Sequence, residues 1–268
     1  MTYLQFHFVF TLPAILALRM AGPRLERRDG FKATLSLALI ALIAFAYTTP
    51  WDNYLVQTGV WGYGPGRVLA TVGHVPIEEY MFFVLQPILT GFWLYHLIWG
   101  RLADRLGPEP NTQPSAAARW TGTVGYLAGA LVGAFLLAPE PTRYLALILV
   151  WACPVLAVQW AYGGHHLWRL RRLVFWAVAV PTLYLWVADR IALALGIWHI
   201  SERFTTGIAP GGLPLEEALF FLVTNVLVVQ GLVLMLHTWG VEAVRQLDLP
   251  AFAAPRRTGS RAPVHAEV

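Results

Sequence analysis

Two adjacent carboxylates at the head of a long apolar run occur twice in this chain. Pro76-Ile77-Glu78-Glu79 leads into Tyr80-Met81-Phe82-Phe83, and Pro214-Leu215-Glu216-Glu217 leads into Ala218-Leu219-Phe220-Phe221. Two carboxyl groups can divide the work of general acid and general base. Aromatic faces near them can stabilise a cation, and so can carboxylate charge. Together these groups suit acid-catalysed rearrangement of a long apolar polyene. The acid protonates a terminal double bond, an internal double bond attacks the carbocation and closes a ring, and a carboxylate removes a proton. Those steps require no redox cofactor.

A single Pro-x-Glu-Glu is explained equally well as a helix start, because proline suits the first helical position and acids suit the first turn. The repeat argues for more. Asp52 lies nine residues before Trp61, and Asp189 nine before Trp198. Trp61 precedes Glu78 by 17 residues and Trp198 precedes Glu216 by 18. Gly59-Val60-Trp61 matches Gly196-Ile197-Trp198, and Tyr3-Leu4 stands before Pro13 as Tyr144-Leu145 stands before Pro154. The offset stays between 137 and 141 throughout. Ionisable groups near hydrocarbon are costly and by default mark function. The candidate catalytic residues are therefore Glu78, Glu79, Glu216, Glu217, Asp52 and Asp189. The candidate substrate contacts are Trp61, Phe82, Phe83, Trp198, Phe220 and Phe221. Helical spacing sets Glu78 over Phe82 and Glu79 over Phe83, and likewise Glu216 over Phe220 and Glu217 over Phe221. Which member of each pair faces the site stays open.

The elements that must hold these groups are membrane helices. The 268 residues are 57% hydrophobic and 13% charged, against about 25% charged in soluble domains. Mean hydropathy is +0.56. Spans are expected at about Tyr3–Leu18, Ala33–Tyr47, Ile77–Ile98, Trp120–Ala138, Tyr144–Tyr162, Leu173–Leu195 and Leu215–Trp239, from the roughly 20 residues a bilayer core demands. Pro13, Pro87, Pro154 and Pro181 predict kinks. The connections after spans one, three and five, with the C-terminal tail, carry 15 of the 19 Lys and Arg. The positive-inside rule then puts the N-terminus outside and the C-terminus in the cytoplasm of a multi-pass cell-membrane protein. The first span has no basic residue before it, unlike a cleaved signal.

The expected fold is an all-α integral membrane protein of about seven transmembrane helices, two parallel three-helix repeats joined by one helix. The first repeat takes residues 1–106, the linker and connecting helix 107–141, the second repeat 142–239, and a disordered cytoplasmic tail 240–268. The axis relating the repeats should bring the acidic ends together around one shared cavity or two equivalent ones.

No His, Asp and Glu spacing resembles a metal site. Gly62-x-Gly64-x-Gly66 lacks the third glycine of a dinucleotide fingerprint. The dispersed basic residues do not suggest nucleic acid. Cys153 reads as a small buried hydrophobe, His74 as structural, and Asp189-Arg190 as a possible local ion pair. Small transporters share the repeat architecture, but mid-span polar residues are few: Gln86, Thr90, Thr224 and Asn225. A retinal protein would need a lysine in the last span, whereas Lys32 starts the second.

The doubled Pro-x-Glu-Glu-x-x-Phe-Phe phrase, the three-helix duplication and the upstream Asp52 and Asp189 resemble the membrane-integral lycopene cyclase family over about residues 1–240. That family occurs as two small subunits, as one fused chain, and in fungal fusions with phytoene synthase. This chain resembles the fused form. The resemblance implies cyclisation of the ψ ends of lycopene to β-ionone rings, giving γ-carotene or β-carotene without a flavin or other cofactor. It places the catalytic carboxyls at Glu78, Glu79, Glu216 and Glu217. It implies lycopene drawn from the bilayer as substrate, with membrane lipid and other carotenoid enzymes as neighbours.

Overall fold

The computed structural model describes residues 1–23, 27–100, 102–106 and 115–248. Eight helices matter here: α1 Tyr3–Ala21, α2 Arg27–Gln57, α3 Ile77–Trp99, α4 Ala116–Leu136, α5 Arg143–Arg169, α6 Arg171–Ala194, α7 Leu215–Thr238 and the short α8 Glu242–Asp248. Six of them, α1, α2, α3, α5, α6 and α7, are long and apolar enough to cross a membrane. The remaining expected span, Trp120–Ala138, is α4. It is 21 residues long but less apolar, because it carries Arg119 and four glycines. Those glycines let α4 approach α5 closely. A methyl group on Gly122 would run into the ring of Trp160, and one on Gly133 would meet Leu149, the use of small residues common where membrane helices touch.

The chain continues as helix through Pro50, Pro87, Pro154 and Pro181. The described departures from regular helix lie elsewhere. Gly163 breaks α5 with φ −141° and ψ 26°. Residues His7–Thr11 of α1 form a π-helical turn just before Pro13. Proline has no N–H and its ring crowds the carbonyl one turn back, and a wider turn relieves that conflict; such turns often mark functional sites.

The helices that carry the glutamates are the most enclosed. In α3 and α7 61% of the apolar window is buried, against 22% in α1 and α2. Two turns beyond the glutamates a polar knot ties them together. Gln86 Nε2 and Thr90 Oγ1 donate to Asn225 Oδ1 at 2.7 and 2.6 Å, and Asn225 Nδ2 donates to Thr182 of α6 at 3.0 Å. Gln86, Thr90 and Asn225 thus bond to one another and Thr224 donates to the Phe220 carbonyl, where a transport pathway would require groups left for a solute.

The halves also meet outside the helices. Strand β1 (Trp61–Tyr63) pairs antiparallel with β4 (Trp198–Ile200), with Gly62 opposite His199 and Tyr63 opposite Trp198. A twofold axis perpendicular to the strands generates this pairing. Gly64 N donates to Ile197 O at 3.0 Å, and a methyl group on Gly64 would overlap the carbonyl oxygen of Gly196. The Gly62-x-Gly64 segment is a seam between halves. A second short ribbon, β2 (Thr71–Val72) with β3 (Val75–Pro76), leads into α3.

One expectation meets a different structure. The tail expected to be disordered from residue 240 begins with α8, whose flanking Val241 and whose Val244 are fully buried against the α3 and α7 ends. Residues 249–268, the rest of that tail, and 107–114 of the expected linker lie outside the described residues.

Candidate active site

Each glutamate pair opens its helix, with Pro76 or Pro214 as the cap residue in an extended conformation. The two carboxyls of a pair then part company, because neighbouring helical residues point about 100° apart. Glu78 Oε1 accepts from the backbone N–H of Leu69 at 2.9 Å, and Glu216 Oε1 accepts from that of Thr206 at 2.7 Å. Both side chains are fully buried and hold the loop that precedes their helix.

Glu79 and Glu217 turn the other way, into one small cavity. Asp189, Phe82, Phe220, Phe221, Trp61 and Trp198 also line it. Both halves contribute, so the structure holds a shared pocket. Its lining includes no Lys, Arg or His. Asp52 is fully buried just behind, close enough to Glu79 and Glu217 to feel their charge, and among the described residues neither of its oxygens has a hydrogen-bond partner.

The register of the phenylalanines differs from the expected one in the first half only; Glu217 shares the pocket with Phe221, four residues on as expected, and also with Phe220. Glu79 shares the pocket with Phe82, three residues on, while Phe83 faces a neighbouring groove. The i+3 neighbour wins because Phe82 is drawn to Phe221, with ring centroids 6.1 Å apart and edge to face. Asp189 makes no pair with Arg190. Its Oδ1 accepts from Trp198 Nε1 at 2.8 Å, whereas Arg190 donates to the Gly211 carbonyl at 2.8 Å.

The candidate residues omit the tyrosines. Tyr3 Oη donates to Glu79 Oε2 at 2.8 Å, and Tyr144 Oη donates to Glu217 Oε1 at 2.6 Å. Tyr63 of β1 adds a second donor to Glu79 Oε2 at 3.2 Å. Burial, and after it the charge of Glu79, push the Tyr63 phenol well above its ordinary value, so it remains a donor. Tyr3 and Tyr144 stand ten residues before Pro13 and Pro154 in the repeat, and that equivalence was the available signal. Tyr63 had none, because its tie to Glu79 depends on the strand seam.

The halves match in these bonds but are not identical. Trp198 bonds Asp189, while Trp61 Nε1 and the Asp52 carboxyl have no hydrogen-bond partner among the described residues. His7, buried in the π turn, meets the backbone oxygen of Glu78 through Nε2 at 2.9 Å and stacks on Tyr3 and Phe82. The aligned position of the second half is Ile148. His74 is exposed, and its N–H donates to Asn53. Chemically, the pocket presents carboxyl groups held by neutral donors beneath aromatic faces. It is suited to moving a proton on and off an apolar molecule.

Comparison with known proteins agrees with this chemistry. The family model described as lycopene cyclase matches residues 1–98 and 141–235. A lycopene beta-cyclase of Halobacterium salinarum is 46% identical over 242 residues, covering 89% of this chain and 96% of that protein. The bifunctional lycopene cyclase/phytoene synthase of Phycomyces blakesleeanus is 37% identical over 233 residues, covering 85% of this chain and 38% of that longer protein. One from Aspergillus niger is 35% identical over 251 residues, or 91% of this chain and 42% of that protein. No solved structure matches the chain.

Proposed function

Because this chain belongs to the lycopene cyclase family, we propose that it cyclises the ψ ends of lycopene to β-ionone rings in carotenoid biosynthesis, giving γ-carotene and then β-carotene. The single observation that carries the reading is the shared pocket in which Glu79, Glu217 and Asp189 face Phe82, Phe220, Phe221, Trp61 and Trp198. The transporter alternative has no support, since Gln86, Thr90, Thr224 and Asn225 are all bonded within the protein and the chain's family is that of the cyclases.

Glu217 is the proton donor in this reading. It has one phenol partner at one oxygen, which leaves the other oxygen to carry the acidic proton. Protonation of the terminal double bond leaves a tertiary cation. An internal double bond attacks it, the new carbon–carbon bond closes the six-membered ring, and the charge moves onto a ring carbon beside the aromatic faces. Glu79 balances that charge and takes up the proton released when the ring double bond forms. Its two phenol donors, Tyr3 and Tyr63, stabilise the anion it must be before that transfer. One proton enters and one leaves, so substrate and product are isomers. Asp189, fixed by Trp198, adds negative charge near the cation. Glu78 and Glu216 position the loops, and Asp52 acts through Glu79 and Glu217.

In the membrane, the acids belong to the outer half. The helix ends that carry Glu79, Glu217 and Tyr3 are opposite those that carry Arg19 and Arg169, and the positive-inside rule puts the arginines in the cytoplasm. Lycopene then reaches the site from the bilayer of the cell membrane, handed on by other carotenoid enzymes. The test is expression in cells that accumulate lycopene, with pigment analysis. Cyclic carotenes are expected; unchanged lycopene, with the chain present in the membrane, would sink the reading.

A further inference from the structure

Beside the acid pocket lies a second, larger cavity, walled by α2, α3, α5 and α7. Phe82 and Phe220 line both. We infer that this groove is the binding site for the polyene chain, and that Phe82 and Phe220 form the threshold across which only the ψ end passes into the acid pocket. The inference rests on the cyclase reading and adds a substrate subsite to it.

Three helices give the groove the same length. Its wall runs from Thr48 to Ile40 on α2, from Trp151 to Gln159 on α5 and from Phe220 to Val228 on α7. Each is nine residues, eight steps along the helix, or ~12 Å at the helical rise. The acid end is fixed by a stack: the Trp51 ring lies 5.7 Å from Phe220 at 9°, and 4.8 Å from Trp151 at 23°. From there the groove leads away from the acids toward the middle of the helices. It opens sideways to the lipid-facing surface, where Ile43 is 55% and Tyr47 41% exposed.

Most of the wall's polar groups are occupied by the protein. Tyr47 donates to Trp151 O at 2.9 Å and lays its ring on the Trp151 ring. Thr224 donates to Phe220 O at 2.9 Å, and Gln86 donates to Asn225. The Gln159 amide donates to Leu227 O at 3.0 Å, while its oxygen, at the end farthest from the acids, has no partner. Trp151 Nε1, at the acid end, is likewise without a partner among the described residues; the lining between is chiefly apolar, which suits a hydrocarbon chain. Continuity with the acid pocket selects the occupant. A polyene whose end sits between Glu79 and Glu217 must leave across Phe82 and Phe220, and the groove begins there.

The test is the rate of lycopene conversion by the full chain in membranes, with Phe introduced at Ala44 in the groove wall or at Ala46, two residues along the same helix and lipid-exposed. Ala44→Phe is expected to lower kcat/KM by at least ~10-fold, the scale on which apolar sites reject misfitting groups, while Ala46→Phe matches the wild type. If Ala44→Phe does not accumulate in the membrane, Val155→Phe on the facing wall of α5 takes its place. Wild-type rates from the groove variant overturn the inference. So do equal losses from both positions at equal protein level, which would mean that an acyl lipid or nothing occupies the groove. A wild-type chain that leaves lycopene unchanged overturns the cyclase reading instead, and the groove's occupant with it.

Discussion

Tyr144, the second residue of α5, donates its hydroxyl hydrogen to Glu217, the third residue of α7, at 2.6 Å, and both side chains are buried. The bond joins two helices and aims the carboxyl that the proposed mechanism uses as acid. Tyr144→Phe removes the donor and keeps the ring. The expected result is a fall in kcat of about 10- to 100-fold, the worth of a hydrogen bond to a charged group, with KM nearly unchanged. Steady-state kinetics on lycopene would check it, and a rise in KM alone would contradict it.

Glu79 has two phenol donors and should tolerate the loss of one. Tyr3→Phe is expected to cost less than Tyr144→Phe, and Tyr3→Phe with Tyr63→Phe more than the sum of the single changes, because removing both strips one oxygen of Glu79 of its donors. Rates for the two single variants and the double variant form the cycle that reads this.

The glutamate pairs divide by role. Glu79→Gln and Glu217→Gln should each cut turnover by at least ~100-fold, the scale of a lost general acid or base. Glu78→Gln and Glu216→Gln keep an oxygen for the N–H of Leu69 or Thr206 and should remain active, whereas Glu78→Ala should destabilise the fold by about 1–3 kcal/mol by orphaning a backbone donor. Pigment yield and thermal unfolding in detergent separate the two classes. Loss of activity in Glu78→Gln at normal stability would refute the division.

Asp52 is a buried carboxyl with no hydrogen-bond partner among the described residues. A carboxyl that ionises there is an uncompensated buried charge and expensive, so replacing it with a neutral amide should stabilise the protein. Asp52→Asn is expected to unfold at higher temperature than the wild type and to turn over more slowly. A more stable variant at full speed would mean that Asp52 plays no part in the reaction.

The acid pocket is small and shared by both halves, so each binding event brings one ψ end to the carboxyls. A short time course should show the monocyclic carotene before the bicyclic one. Simultaneous appearance from the first turnover would require a second site.

Much of this site was legible in the residues. Composition set the membrane class, and the doubled phrase marked the helix turns that meet at the shared pocket, because a helix start, a carboxylate pair and a phenylalanine pair are local patterns. The internal echo also foretold that both acidic ends meet. Other features were hidden for a physical reason. Glu78 and Glu79 are chemically alike, and which one enters the pocket follows from the rotation of α3 about its own axis, set by its neighbours. Tyr63 and Trp198 face each other only because β1 pairs with β4. Asp189 bonds Trp198 and not the adjacent Arg190, because Arg190 is drawn to the Gly211 carbonyl. The sequence by itself determined which chemical groups are present and on which helix turns they lie. Only the tertiary structure decided which carboxyls share a cavity and which hold loops, because that choice depends on side-chain direction across contacts more than 70 residues apart in the chain, such as Tyr3 with Glu79 and Tyr144 with Glu217.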